Sequence, residues 1–305
     1  MTAKEAKRQL ADLRAVTDKR VKYVVNTHSH LDHALGNCVF EDLGAAIVAH
    51  SETTREMRAA GEKLLQFAKG FGLTETDLEG TRVAYPEISF RDGLRIDLGG
   101  QIVELLHIAP SHSGGSILVY LPDRKVLFAG YALFTDFHPY MADGNLEGWL
   151  KTLDAVLALD VEAIVPGHGP VSTKKDVKEM KEYLLAFDKK ARELAVGAKD
   201  AQSMAAGLKK VLPARAQGEF LIPANAQKYL AGNQGEHRRL PYFPFLKRFS
   251  CDMTANPLSL KQKFSSWTKK RVNSNPRNCP NSKMPRAPEG SCWRQTPLYS
   301  RSSQT

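Results

Sequence analysis

Three imidazoles and one carboxylate crowd into six positions of the segment Thr27-His28-Ser29-His30-Leu31-Asp32-His33. The segment directly follows residues 21–26 (VKYVVN), a short β-rich run that reads as a buried strand. A strand end and its loop aim alternate side chains at one point, so His28 and His30 can converge on one ion. Asp32 and His33, on the following turn, can face a second ion beside it. Neutral imidazole and carboxylate suit Zn²⁺, Fe²⁺ or Mn²⁺. Four such groups are costly to bury this close together without a cation. The alternative is a solvated polar loop with chance histidines, which accounts for a lone histidine better than for a cluster at the mouth of an apolar strand.

The elements that must position these groups follow from periodicity. Residues 4–16 have the spacing of an amphipathic helix, and residues 45–49 form a second short apolar strand. Ser51 is expected to cap a helix carrying Met57, Leu64, Leu65 and Phe67. Two runs around Gly99-Gly100 predict a hairpin, and two more flank the turn Pro122-Asp123. Asn145 caps a helix with Leu146, Trp149, Leu150, Leu153, Val156 and Leu157 on its apolar side. A strand at residues 163–165 delivers Pro166-Gly167-His168-Gly169, and residues 174–196 form a long charged helix. Gly167 and Gly169, like Gly114 and Gly115 after His112, are expected to let the backbone approach a metal closely. Residues 204–212 read as helical, and periodicity fades after about residue 238.

Composition bounds the function. The 42% hydrophobic and 25% charged fractions are those of a globular protein with a full core. The net charge of +10 is lopsided. Ten basic and two acidic residues (Asp252 and Glu289) in 251–305 account for +8 of it, leaving a nearly neutral body. That tail is rich in Ser, Asn and Pro, which favours disorder. Nucleic acid is therefore disfavoured as a partner. Of four cysteines only Cys38 lies in the body, which is neither a disulfide framework nor a cysteine-type zinc module. No apolar run approaches a membrane span, and the charged N-terminus shows no signal peptide. The expected reading is a cytoplasmic protein acting on a small molecule, with truncation at the N-terminus left open.

The His-Ser-His-Leu-Asp-His segment resembles the HxHxDH signature of the metallo-β-lactamase superfamily. Three later motifs follow in the family's order: Pro110-Ser111-His112-Ser113-Gly114-Gly115, Val126-Leu127-Phe128-Ala129-Gly130, and Val165-Pro166-Gly167-His168-Gly169. The resemblance covers about residues 21–171. It implies an α+β fold, an αββα sandwich with the metal site at one edge and part of the N-terminal strands missing. It also implies one or two zinc ions, with iron or manganese possible. His28, His30 and His112 would hold the first, and Asp32, His33 and His168 the second. A metal-held hydroxide would attack a carbonyl, with Asp32 orienting it or relaying its proton.

One position departs from the pattern. Many members carry a bridging Asp after the Gly130 equivalent, and this chain has Tyr131. A phenol with a pKa near 10 is a poor bridge at neutral pH. Tyr131 is expected to hydrogen-bond a metal-held water or simply to pack. Phe134, His138, Tyr140 and Met141, together with Asp143, are expected to line a substrate pocket. His50 and His107 read as structural, and His237 as a surface residue.

The expected organisation is a catalytic domain over residues 1–200, a partly helical extension over 201–250 and the basic tail. The stretch from His138 to Gly144 resembles quinoprotein-associated zinc metallohydrolases and β-lactamase-like proteins, which favours a β-lactamase-like hydrolase. A glyoxalase II-like thioesterase or lactonase, a metal-binding protein with impaired catalysis, and a nucleic-acid-processing member are the alternatives.

Overall fold

Short β-branched runs separated by turn residues form two sheets in the computed structural model, which describes residues 1–233. The first is a parallel sheet of three strands, β1 (Tyr23–Asn26), β2 (Ala46–His50) and β3 (Ile88–Phe90), in that order. The second has five strands, β4 (Gly93–Asp97), β5 (Ile102–Leu106), β6 (Leu118–Leu121), β7 (Val126–Phe134) and β8 (Ala163–His168), also in sequence order. Pairing is antiparallel from β4 to β7 and parallel between β7 and β8. The Gly99-Gly100 hairpin forms as expected, with Asp97 paired to Ile102.

Alternation along each strand sends residues to opposite faces. Val48 and Phe90 from one sheet pack with Leu94, Ile96 and Leu105 from the other, so the two sheets face each other. Helices cover the outer faces. α1 (Ala3–Arg14), capped by Thr2 and Glu5, lies with α3 (Asn37–Glu41) over Ile47. On the other side α6 (Leu146–Ala158) and α7 (Lys174–Ala195) bury Trp149, Leu153, Tyr183 and Phe187 against Leu127 and Ile164. The order of layers is the expected αββα sandwich, with β1 at a sheet edge.

Local details differ from expectation. The helix after β2 is two helices, α4 (Ser51–Ala60) and α5 (Lys63–Gly70), broken where Gly61 takes φ +54°. Its N-cap is His50, whose Nδ1 accepts from the Glu52 N–H at 3.2 Å, and Ser51 is already inside the helix. An imidazole nitrogen serves the orphan donors here as a hydroxyl would. β7 runs nine residues, past the expected strand end near Gly130, and carries Tyr131 and Phe134. Beyond α7, α8 (Ala201–Val211) and α9 (Ile222–Asn233) add Met204, Leu208, Ile222, Ala226 and Leu230 to the core that contains Trp149. No described helix is long and apolar enough to cross a membrane. His237 and the basic tail lie outside the described residues.

Candidate metal centre

The His cluster sits where β1 ends and turns into α2 (Leu31–Ala34). Asn26 and Asn37 anchor that turn from behind. Each donates its side-chain amide to the other's oxygen, at 2.9 and 2.8 Å, and Asn26 also reaches the His33 carbonyl. His112 arrives on the loop between β5 and β6. That loop is tied to the first by the Ile117 N–H donating to the Thr27 carbonyl at 2.9 Å.

His28, His30 and His112 are all buried. Their ring centroids form a triangle with every side 4.8 Å and the rings nearly perpendicular to one another. One ligand atom from each lies within 4.8 Å of the other two, a grouping that can hold a metal ion.

The surroundings fix which nitrogen of each ring faces inward. His112 Nδ1 is 3.0 Å from the Tyr140 carbonyl, which can only accept, so Nδ1 carries the proton and Nε2 the lone pair. His30 Nε2 is 3.2 Å from Asp143 Oδ2, which likewise selects a proton on Nε2 and a lone pair on Nδ1. His112 Nε2 and His30 Nδ1 are then 3.0 Å apart, lone pair toward lone pair. His28 Nδ1 meets the Thr27 hydroxyl at 3.1 Å, while its Nε2 is buried with no hydrogen-bond partner. Burial, reinforced by the neighbouring imidazoles, pushes His28 and His112 well below the ordinary histidine pKa, so they are held neutral. Facing lone pairs and an orphaned buried nitrogen are unfavourable alone, and a cation between them would resolve both.

Asp32, His33 and His168 gather around Tyr131 instead. The Tyr131 hydroxyl hydrogen-bonds both Asp32 Oδ2 and His168 Nε2. Its ring centroid lies 4.4 Å from that of His33, 4.6 Å from His28, 4.7 Å from His112 and 4.9 Å from His168. A bulge in the β7–β8 pairing at Gly130, which takes φ +50°, turns Tyr131 inward. Crowding by protein atoms would raise the Asp32 carboxyl, but the charge and hydrogen bond of His33 outweigh it and hold it well below the carboxylate range. Burial, then the Asp32 charge, push the Tyr131 phenol well above its ordinary value. The glycines of the last loop serve this tyrosine and the strand beside it. A Cβ on Gly167 would come within 2.3 Å of Tyr131 Cδ1, and one on Gly169 within 2.0 Å of the Thr135 carbonyl. Gly115 likewise makes room for Thr53 and His50 of the α4 turn.

All six expected ligand positions therefore come together at one end of the sandwich. Tyr140 borders the cluster, 5.8 Å from His30 and 6.0 Å from His112 between ring centroids. Phe134 forms its floor, 4.7 Å from Tyr131 and stacked on His168. Met141 is buried in the core. His138 turns toward α7, where its Nδ1 meets the Tyr183 hydroxyl at 2.5 Å. His107 stacks on His50 at 4.0 Å and bonds the Ser116 carbonyl, a structural pair.

Sequence reasoning missed two residues that support the site. Asn225 of α9 accepts from the Met141 N–H at 2.6 Å and donates to the Pro139 carbonyl at 2.8 Å. Lys228, one turn on, donates to the Met141 carbonyl at 3.0 Å and to that of Gly144. Together they clamp the loop that presents the Tyr140 carbonyl and Asp143 to the histidines.

A family model described as the metallo-beta-lactamase superfamily matches residues 1–168, more than half of the chain. The chain belongs to this superfamily. Curated relatives include a linear primary-alkylsulfatase from a Pseudomonas strain, 26% identical over 212 residues, covering 58% of this chain and 39% of the relative. An acyl-coenzyme A thioesterase of Homo sapiens is 29% identical, covering 49% and 57%. A hydroxyacylglutathione hydrolase of Methylococcus capsulatus is 26% identical, covering 48% and 47%. The chain thus spans about half the length of the curated relatives it matches, or less. A solved metallo-beta-lactamase family protein from Thermus thermophilus shares the fold, with a TM-score of 0.56 at 23% identity over 76% of this chain and 81% of that one.

Proposed function

We propose that this chain is a metal-dependent hydrolase of an activated carbonyl substrate, using zinc held by His28 Nε2, His30 Nδ1 and His112 Nε2. The observation that carries the reading is the convergence of three buried imidazole lone pairs whose outward nitrogens are already committed. A divalent cation, when bound there, supplies a Lewis acid and brings the pKa of water toward neutrality.

The chain's own residues divide the remaining work. The Tyr140 carbonyl and Asp143 hold His112 and His30 in the tautomers that turn their lone pairs inward, so the site needs little rearrangement. Asp32 is ionised, its side chain is 46% exposed, and its Oδ2 is engaged by Tyr131. Its Oδ1 is the atom that takes a proton from the attacking water and returns it to the leaving group. Tyr140 and Phe134 supply an apolar wall that limits water around the reacting carbonyl.

Thioesters are the first substrate class to test, ahead of β-lactams, because two of the relatives named above are an acyl-coenzyme A thioesterase and a hydroxyacylglutathione hydrolase. The test is metal analysis followed by a substrate panel of acyl-coenzyme A and glutathione thioesters, lactones, nitrocefin and an alkyl sulfate. Turnover that is lost on chelation, restored by zinc and absent in His112→Ala supports the reading. Protein that stays metal-free after incubation with zinc, or activity indifferent to chelation, refutes it.

A further inference from the structure

We propose that this chain holds a single divalent cation, and that Tyr131 fills the second cation position as a neutral clamp joining Asp32 to His168. The inference rests on the reading of His28, His30 and His112 as the ligands of that one ion.

The argument is one of donors and acceptors. An ionised carboxylate only accepts hydrogen bonds, so the single proton of the Tyr131 hydroxyl points to Asp32 Oδ2. The His168 Nε2 contact with the same oxygen must then be made by a protonated nitrogen donating to it. A protonated Nε2 has no lone pair to give a metal. His168 Nε2 and Asp32 Oδ2 are thereby committed to the phenol. The third side chain of the second set, His33, has its ring edge-on to Tyr131 and its Nε2 3.2 Å from Asp32 Oδ2 without a hydrogen bond to it, and this one nitrogen is left to face the cluster.

Volume points the same way. The Tyr131 ring lies 4.4 to 4.9 Å from four imidazoles and 4.7 Å from Phe134, which is the centre of the cluster. The neighbouring strand is shaped to receive it. Gly167 lacks the Cβ that would stand 2.3 Å from the ring, and the bulge at Gly130 directs it inward. A position that takes a tyrosine ring against glycine backbone is a built aromatic seat, and a hydrated second ion has no room beside it.

The test is metal stoichiometry, read by elemental analysis and native mass spectrometry after equilibration with excess zinc. Wild type is expected to hold one zinc per chain, Tyr131→Phe one, Tyr131→Asp two and His112→Ala none. Where Tyr131→Asp fails to fold, His168→Ala decides: it keeps one zinc, with affinity within about threefold of wild type, if Tyr131 fills the second position. Two zinc ions in wild type, falling to one in His168→Ala, overturn the proposal and leave the three-histidine reading standing. No zinc in wild type overturns both.

Discussion

Asn225→Ala separates packing from metal-site support. The Asn225 side chain is fully buried and completes two backbone groups of the loop over the site, the Met141 N–H and the Pro139 carbonyl. Alanine leaves both without partners in a place water does not reach. A buried group left unsatisfied costs about 1–3 kcal/mol, so the pair costs about 2–6 kcal/mol. For a domain of this size that lowers Tm by roughly 4–24 °C. The same loop presents the Tyr140 carbonyl to His112 and Asp143 to His30. Loosening the partners that orient metal-binding histidines typically weakens metal binding about 10- to 100-fold. The assay is zinc competition against a chromophoric chelator at a temperature where the variant is folded, alongside thermal unfolding of the metal-free protein. Lys228→Met, which removes the donors to Met141 and Gly144, is expected to act in the same direction. A variant with lowered Tm but unchanged zinc affinity refutes the reasoning, because α9 would then pack without governing the site.

Two further outcomes follow from the same structure. Trp149 is buried, donates from Nε1 to the Ala132 carbonyl at 2.8 Å and lies 5.5 Å from the His112 ring. Trp149→Ala is expected to cost about 3–5 kcal/mol in denaturant unfolding, and a loss under about 1 kcal/mol contradicts the packing. His50 has its pKa lowered to about 4, chiefly by burial and then by His107. Between about pH 4 and the unfolded value near 6.5 the unfolded chain binds more protons at this position, so stability falls as pH drops through that window. His50→Asn keeps a side chain able to cap α4 and removes this titration. Its stability curve should be flatter than that of wild type from about pH 6.5 to about 4, and equal slopes would reject the assignment.

The first set of candidate metal ligands was legible because much of it is sequential. His28 and His30 are two apart at the end of a β-rich run, and strand geometry alone predicts that they converge. His112 and His168 needed motif order, since nothing in their local spacing says which distant loop they meet. The supporting groups were not legible. A backbone carbonyl such as that of Tyr140 has no sequence signature, and Asn225 meets Pro139 across 86 positions. α9 itself was faint because Pro223 stands near its start and its apolar residues, Ile222, Ala226 and Leu230, recur only every four positions. β3 is three residues long, too short for an alternation signal. The His50 cap was assigned to Ser51 because hydroxyl residues lead the statistics of N-caps, whereas here the imidazole was one position closer to the turn.

Tyr131 shows why composition at one position can reorganise a site without dispersing it. His28 and His30 hang from the three-stranded sheet, and His112, Tyr131 and His168 from the five-stranded one or its loops. The cluster therefore spans the junction of the two sheets, where repulsion between facing lone pairs would open a gap. Replacing an anionic bridge by a neutral phenol removes one negative charge from the cluster, and with it much of the attraction for a second dication. The phenol then recovers the lost cohesion through hydrogen bonds, drawing Asp32 from the first sheet and His168 from the second onto one oxygen. On this view the tyrosine maintains the contact between the two halves that a second ion would otherwise make, and it leaves the three-imidazole site to bind its ion alone.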